Sequence, residues 1–303
     1  MSLKQSDFNY RLNTMELRSL QKMSTPNGMM FVIAMDQRNS MREILAESNK
    51  NQSSISYDDL GNVKTMLVKG LGNFAPAILL DPECALPRVV DQGILQSCVS
   101  LVIGLDASGY SLDEETKLRK SKVIDGISAR KVKELGGDAG KLLVYMRPDQ
   151  NQDKYSQELI RNTVDQFNKE GVLLIVEILV YPLHDESDED FQRIKPELIF
   201  SSAKLAVDNG AKVLKLQYPG SGEMCKRITE LLNGLPWSIL SQGVDHTVFL
   251  NQLEIAIKNG AKGAIAGRSL WKDCISLSSS EMVSRLQSLA IPRLNEVINV
   301  LTQ

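Results

Sequence analysis

A closed (β/α)8 barrel, as one domain over residues 1–303, is the fold class this sequence predicts, and three observations predict it. Eight short, β-rich apolar runs recur at 30–36, 77–81, 100–105, 141–146, 172–179, 213–217, 237–241 and 263–267. Near-continuous apolar runs of this length belong to a parallel sheet covered on both faces. Amphipathic patterns of helical period stand between them, and the spacing is that of a βα unit with its loops. An open doubly wound sheet is the competing architecture. The count of eight and the lack of a convincing G-x-G-x-x-G favour the barrel.

The elements follow in order. The first run ends in Asp36-Gln37-Arg38 and, after a helical pattern over 57–71, the second ends in Asp81-Pro82-Glu83. Both put acids at the C-terminal rim, where they can bind substrate hydroxyls or cap the next helix; before Pro82 the turn or cap is the expectation for Asp81. The stretch 104–118 after the third run is polar and reads as a long loop near the barrel mouth. A helical pattern over 125–135 leads to the fourth run, where Lys141, Leu143, Tyr145 and Arg147 share one face. Lys141 is either a second inward lysine or an exposed residue at a strand start.

A helical pattern over 154–170 precedes the fifth run, in which Ile175, Glu177 and Leu179 share a face. A carboxylate at the end of an apolar strand sits where barrels place catalytic groups, and burial would raise its pKa toward acid or base use. The competing reading is an ion pair with Lys215 or Lys141 that only holds the barrel. Next comes an acidic, solvated segment at 184–190 and a helical pattern over 196–208. In the sixth run Leu214 and Leu216 face the helices, which turns Lys215 inward. A buried lysine is costly unless paired or neutral. Desolvation and nearby cations lower its pKa and free an amine nucleophile of the kind a Schiff-base enzyme needs. A lysine paired with a barrel carboxylate is the plainer alternative.

Helical patterns over 223–232 and 248–259 flank the seventh run. Asn209-Gly210 and Asn259-Gly260 end two helices, and each leads through Ala-Lys into a strand. Ser241-Gln242-Gly243 and Ala266-Gly267-Arg268 follow the last two runs. Barrels often bind phosphate with these two loops: glycine lets backbone N–H groups approach an anion, and arginine pairs with it bidentately. The stretch 280–301 reads as closing helices broken at Pro292. His246 reads as a helix-start residue, His184 as exposed, and Trp237 and Trp271 as packing anchors.

Composition removes several classes of function. Lys+Arg is 35 against 37 Asp+Glu, so no basic field exists to hold a nucleic-acid backbone. Two histidines and four scattered cysteines argue against a His-rich metal site, a zinc ribbon or a disulfide framework, and fit a reducing cytoplasm. The first residues lack an apolar leader segment, and no apolar run is long enough to span a membrane. A homo-oligomer is compatible with such a barrel, although no interface signal is legible.

Seven motifs in order resemble the class I tagatose-1,6-bisphosphate aldolases and the related sulfofructose-1-phosphate aldolases, over nearly the whole chain. They are AMDQR (34–38), LLDPE with Leu86-Pro87 (79–87), SARKVKELGGDAGKLLVY (128–145), EILVY (177–181), AKVLKLQYP (211–219), LSQGVD (240–245) and AGRSLW (266–271). The resemblance implies a barrel that cleaves a ketose phosphate reversibly through a lysine imine, with no metal or other cofactor and a sugar phosphate as its partner. It puts the Schiff-base lysine at Lys215, the glutamate at Glu177 and the second lysine at Lys141. The Asp-Gln pair falls at Asp36 and Gln37, and the phosphate loops at Ser241, Gly243, Gly267 and Arg268. Met146-Arg147 stands where the tagatose group carries an acidic residue and the sulfosugar group Trp-Arg. Arg147 therefore faces a phosphate, a sulfonate or only solvent. A sugar-phosphate-binding regulator with little turnover is the alternative from another class.

Overall fold

The computed structural model describes residues 12–48, 55–150 and 153–303. The first residues, read above for a leader, lie outside them. Among the described residues there are ten strands: β1 (Met30–Ala34), β2 (Ala77–Leu80), β3 (Ser100–Gly104), β4 (Asp106–Leu112), β5 (Arg119–Val123), β6 (Ala139–Tyr145), β7 (Leu173–Leu179), β8 (Val213–Leu216), β9 (Trp237–Leu240) and β10 (Gly263–Ala266). Eight of them close a parallel barrel in the order β1-β10-β9-β8-β7-β6-β3-β2. Each of the eight apolar runs forms one of these barrel strands.

The helices are α1 (Thr14–Lys22), α2 (Asn39–Ser48), α3 (Tyr57–Leu71), α4 (Arg88–Asp91), α5 (Ala129–Glu134) and α6 (Lys154–Glu170), then α7 (Asp188–Asp208), α8 (Gly222–Leu232), α9 (His246–Lys258), α10 (Arg268–Trp271), α11 (Ser279–Arg285) and α12 (Ile291–Thr302). Strand alternation sorts the apolar residues into two cores. Phe31, Ile33, Leu142, Val144, Ile178, Leu214 and Leu216 pack outward against the helices. Val32, Ala34, Leu79, Val102, Ile175, Val213 and Ile265 fill the barrel interior. Leu17 and Leu20 of α1, with Met23, belong to that interior cluster, so α1 plugs the N-terminal end of the barrel. Buried Glu16 completes the capping box of α1 with Asn13 and accepts from Lys212 Nζ at 2.7 Å, which ties the plug to the entry of β8.

Gly210 and Gly260 end α7 and α9 with φ of +92° and +101°, and Ala211 and Ala261 donate back to Ala206 and Ala256. This is the left-handed helix ending expected of the two Asn-Gly pairs. Trp237 and Trp271 are buried, with Nε1 donating to Thr229 Oγ1 and to the Ala34 carbonyl.

Three segments differ from expectation. The stretch read as a loop at 104–118 begins an antiparallel hairpin, β4–β5, closed by a turn in which Asp113 accepts from Glu115 and Thr116 N–H. Alternation is masked there because Gly109 and serines dilute the pattern. The acidic segment is largely exposed as expected, but the helix read over 196–208 starts earlier: Asp188, Glu189 and Asp190 are the first turn of α7, with Ser187 as N-cap, because negative charge is favoured at a helix N-terminus. The C-terminal break is a π-helical turn, Leu286–Ala290, and Pro292 sits in the first turn of α12, where its missing N–H costs nothing. Among the described residues no helix is long and apolar enough to cross a membrane.

Candidate active site

A cavity of about 440 Å3 opens at the C-terminal end of the barrel, lined by groups from β1, β6, β7 and β8, the hairpin, and the loops after β9 and β10. Lys215 enters it from β8 because its neighbours Leu214 and Leu216 are held in the outer core. Glu177 stands directly beside it in register on β7, and its Oε2 lies 2.9 Å from Lys215 Nζ. The same Oε2 is 3.2 Å from Lys141 Nζ, so one carboxylate bridges both lysines.

Lys141 is the inward lysine of β6, not an exposed strand-start residue; it is 1% exposed. Besides Glu177 it touches Asp36 Oδ2 at 2.7 Å and Asp106 Oδ1 at 2.6 Å. Burial alone would lower its pKa, but Asp106, Asp36 and Glu177 outweigh it and hold the ammonium well above the usual lysine range. Burial would likewise raise Asp36, yet Lys141 and then Lys215 bring it down to about 2. Glu177 follows the same logic and is lowered, Lys215 being the larger of its two opposing partners. This corrects the expectation that burial lifts Glu177 toward the pKa of an acid. Asp106 goes the other way: burial raises it, Lys141 only partly offsets this, and Asp36 raises it further. Three acids thus line the site with two lysines, and of the three only Asp106 is raised. The three carboxylates converge on an ammonium, which fills the place a divalent cation would need.

Gln37 donates from Nε2 to Asp36 Oδ1 at 2.9 Å. Gln37 lines the cavity, and its buried Oε1 has no hydrogen-bond partner among the described residues. On the opposite side, Ser241 Oγ accepts from Gly267 N–H at 3.4 Å, lacing the β9 and β10 loops together. A Cβ at Gly267 would meet the Ala34 carbonyl at 2.7 Å, so only glycine lets this backbone pass so close to β1. Gly243 and Arg268 complete that wall, and a weak contact to the Gln242 carbonyl at 3.5 Å is the guanidinium's one hydrogen bond among the described residues.

Arg147 does not line the cavity. It is 1% exposed, with Nε and Nη2 on Asp149, Nη1 on the Tyr181 carbonyl and Glu186, and its backbone N–H on Asp153. Every arm of the guanidinium has a partner inside the protein. Asp81 takes the turn role expected of it: it accepts from Glu83 and Cys84 N–H and pairs with buried Lys64 of α3. Gln217, inward on the Lys215 face, accepts from Val180 N–H at 2.8 Å.

The reading of the sequence missed Asp106. Its signal was present, an acid directly past the third strand in the same rim position as Asp36 past the first. The polarity of the following residues made the whole segment read as a loop near the barrel mouth, and Asp106 was not singled out within it. Arg38, left undecided above, lines the cavity but pairs with Glu83 and donates to the Asp106 carbonyl.

Comparison with known proteins adds a family, two relatives and two solved structures. The model of a family described as DeoC/LacD family aldolase matches residues 30–273. A tagatose 1,6-diphosphate aldolase of Lactococcus lactis subsp. lactis is 25% identical over 96% of this chain and 97% of its own. A tagatose 1,6-diphosphate aldolase 2 of Streptococcus pyogenes serotype M1 is 27% identical over 87% of this chain and 86% of its own. Among solved structures, a fructose-bisphosphate aldolase from Slackia heliotrinireducens superimposes with a TM-score of 0.67 at 15% identity, covering 100% of this chain and 96% of that one. An archaeal fructose 1,6-bisphosphate aldolase gives a TM-score of 0.62 at 15% identity, covering 89% and 97%. These two likenesses concern the fold.

Proposed function

The chain belongs to the DeoC/LacD family of aldolases, and from that premise we propose that it cleaves a ketose 1,6-bisphosphate, tagatose 1,6-bisphosphate foremost, through an imine on Lys215. The products are dihydroxyacetone phosphate and glyceraldehyde 3-phosphate, and the reaction is reversible. One observation carries the reading: Glu177 Oε2 sits 2.9 Å from Lys215 Nζ at the floor of a cavity whose far wall carries Ser241, Gly243, Gly267 and Arg268. The resemblance to tagatose 1,6-diphosphate aldolases of two bacteria supports the substrate.

Lys215 Nζ attacks the C2 carbonyl, giving a carbinolamine. Loss of water then gives an iminium that withdraws the electrons of the C3–C4 bond. Glu177 rests as a carboxylate, because two lysines lower it. It therefore begins the cycle as a base: it accepts a proton from the attacking nitrogen and returns it to the departing hydroxyl. Once more a carboxylate, it takes the C4 hydroxyl proton as the C3–C4 electrons pass into the iminium, leaving an enamine on Lys215 and an aldehyde at C4. Lys141, held charged by its three carboxylates, stabilises the negative charge that develops on the C4 oxygen as the C3–C4 bond breaks. Asp36 and the unpartnered Oε1 of Gln37 accept from substrate hydroxyls. Ser241, Gly243, Gly267 and Arg268 hold the C1 phosphate, whose binding energy orients the bond to be broken.

Borohydride trapping tests the reading. The protein is incubated with dihydroxyacetone phosphate and reduced, and the adduct is mapped by peptide mass spectrometry. A stable adduct on Lys215 is expected. A folded, ligand-binding protein with no adduct on any lysine would be a sugar-phosphate-binding regulator instead.

A further inference from the structure

The bisphosphate reading leaves one end of the substrate without a receptor. With C2 at Lys215 on β8 and the C1 phosphate at the loops after β9 and β10, the sugar chain runs toward the opposite flank, β7 and β6. A second acidic group must be met there by a cation, all the more because the cavity already holds three carboxylates against two lysines. Arg147, the residue first expected in that role, is saturated by Asp149 and Glu186, and Arg38 is committed to Glu83.

Arg119, at the start of β5, is different. Its guanidinium stands 4.3 Å from the ring centroid of Tyr110, 4.5 Å from that of Tyr181 and 5.7 Å from that of Tyr145. Among the described residues it has no carboxylate partner and donates no side-chain hydrogen bond, unlike Arg38 and Arg147. Its backbone N–H donates to Tyr181 Oη at 2.8 Å, and Ser121, two residues on, accepts from Tyr145 N–H at 2.9 Å. The hairpin is thereby clamped to the ends of β6 and β7. Tyr145 lines the cavity one strand layer above Glu177, and its hydroxyl has no partner among the described residues. Stacking on aromatic faces fixes a guanidinium while leaving its in-plane N–H groups free for bidentate bonds to an oxyanion.

We propose that Arg119, with the Tyr145 hydroxyl, receives a tetrahedral oxyanion on carbon 6 of the substrate. The inference rests on the aldolase reading above and deepens it. Its test compares ketose 1,6-bisphosphate, 6-deoxy-6-sulfofructose 1-phosphate and the corresponding ketose 1-phosphate in the wild type, Arg119→Gln and Arg119→Lys. For whichever six-substituted substrate the wild type prefers, its kcat/KM advantage over the 1-phosphate should fall about tenfold or more in Arg119→Gln, with partial recovery in Arg119→Lys. The preferred substrate identifies the group as phosphate or sulfonate. An advantage that survives Arg119→Gln, an equal fall on the 1-phosphate, or a wild type with no advantage to lose would each overturn the assignment. Dihydroxyacetone phosphate has no carbon 6, so borohydride trapping on Lys215 separates the two claims. A trapped adduct with an unchanged ratio sinks only Arg119, whereas no adduct in the wild type sinks the aldolase reading.

Discussion

Lys141 and Arg147 are two cations of one stretch of chain, six residues apart, and each is 1% exposed. Lys141 meets three carboxylates that line an open cavity, and one of them, Glu177, is shared with Lys215. Arg147 meets two carboxylates and a carbonyl, and neither carboxylate is shared with another cation or lines the cavity. Burial of charge is therefore common to both and distinguishes nothing. What separates a reactive cluster from a structural clasp is whether the bonding capacity of its members is used up. Gln37 Oε1 and the loosely bound Arg268 retain capacity, and Arg147 does not.

Substitutions can break or sharpen that contrast. The largest effect belongs to Lys215→Ala, which should lower turnover by at least about 10^4-fold while the circular dichroism spectrum is retained. Ordinary activity in that variant would remove the imine mechanism. Next come Lys141→Met and Arg147→Met as a pair. Each leaves carboxylates without their cation and should cost about 3 kcal/mol or more in denaturant unfolding. Only Lys141→Met should also lower kcat, by about 10^2- to 10^3-fold. Equal loss of kcat in the two variants would erase the distinction between cluster and clasp.

The smallest effect is a pH dependence. Asp36 falls to about 2 in the folded protein, against an ordinary 3.8, so its ionised form stabilises the fold. A lowered acid contributes above its unfolded pKa and loses that contribution as pH falls through the folded one. The advantage of the wild type over Asp36→Asn should be about 2 kcal/mol above pH 4 and should shrink toward zero as pH falls to 2. An advantage that grows on acidification would contradict the assigned direction.

How much of this was legible in the sequence depended on whether a signal was local. Strand alternation placed Lys215 and Glu177 correctly, because flanking Leu214, Leu216, Val176 and Ile178 leave an inward charge no other explanation. The Asn-Gly helix ends were equally local. Lys141 stayed ambiguous because Gly140 before it gives no outward apolar mark. Arg147 was misassigned because what satisfies it, Asp149 and Glu186, is set by how the chain turns after β6, and sequence spacing does not encode that turn. The direction of the Glu177 shift was missed for a related reason. Burial is readable from one strand, but the opposing field comes from two neighbouring ones.

The hairpin β4–β5 begins at Asp106 and sits over the cavity. It is an excursion within the connection from β3 to β6, the kind of insertion by which barrels of common architecture differ from one another. Here the insertion carries one of the three negative charges that hold Lys141 in place. Exchanging this crossover for the shorter one of another barrel would change more than the shape of the entrance. It would withdraw an electrode from the reaction chamber and alter the electrical balance of residues contributed by four other strands. The chemistry of the floor and the architecture of the entrance are therefore constrained to change together.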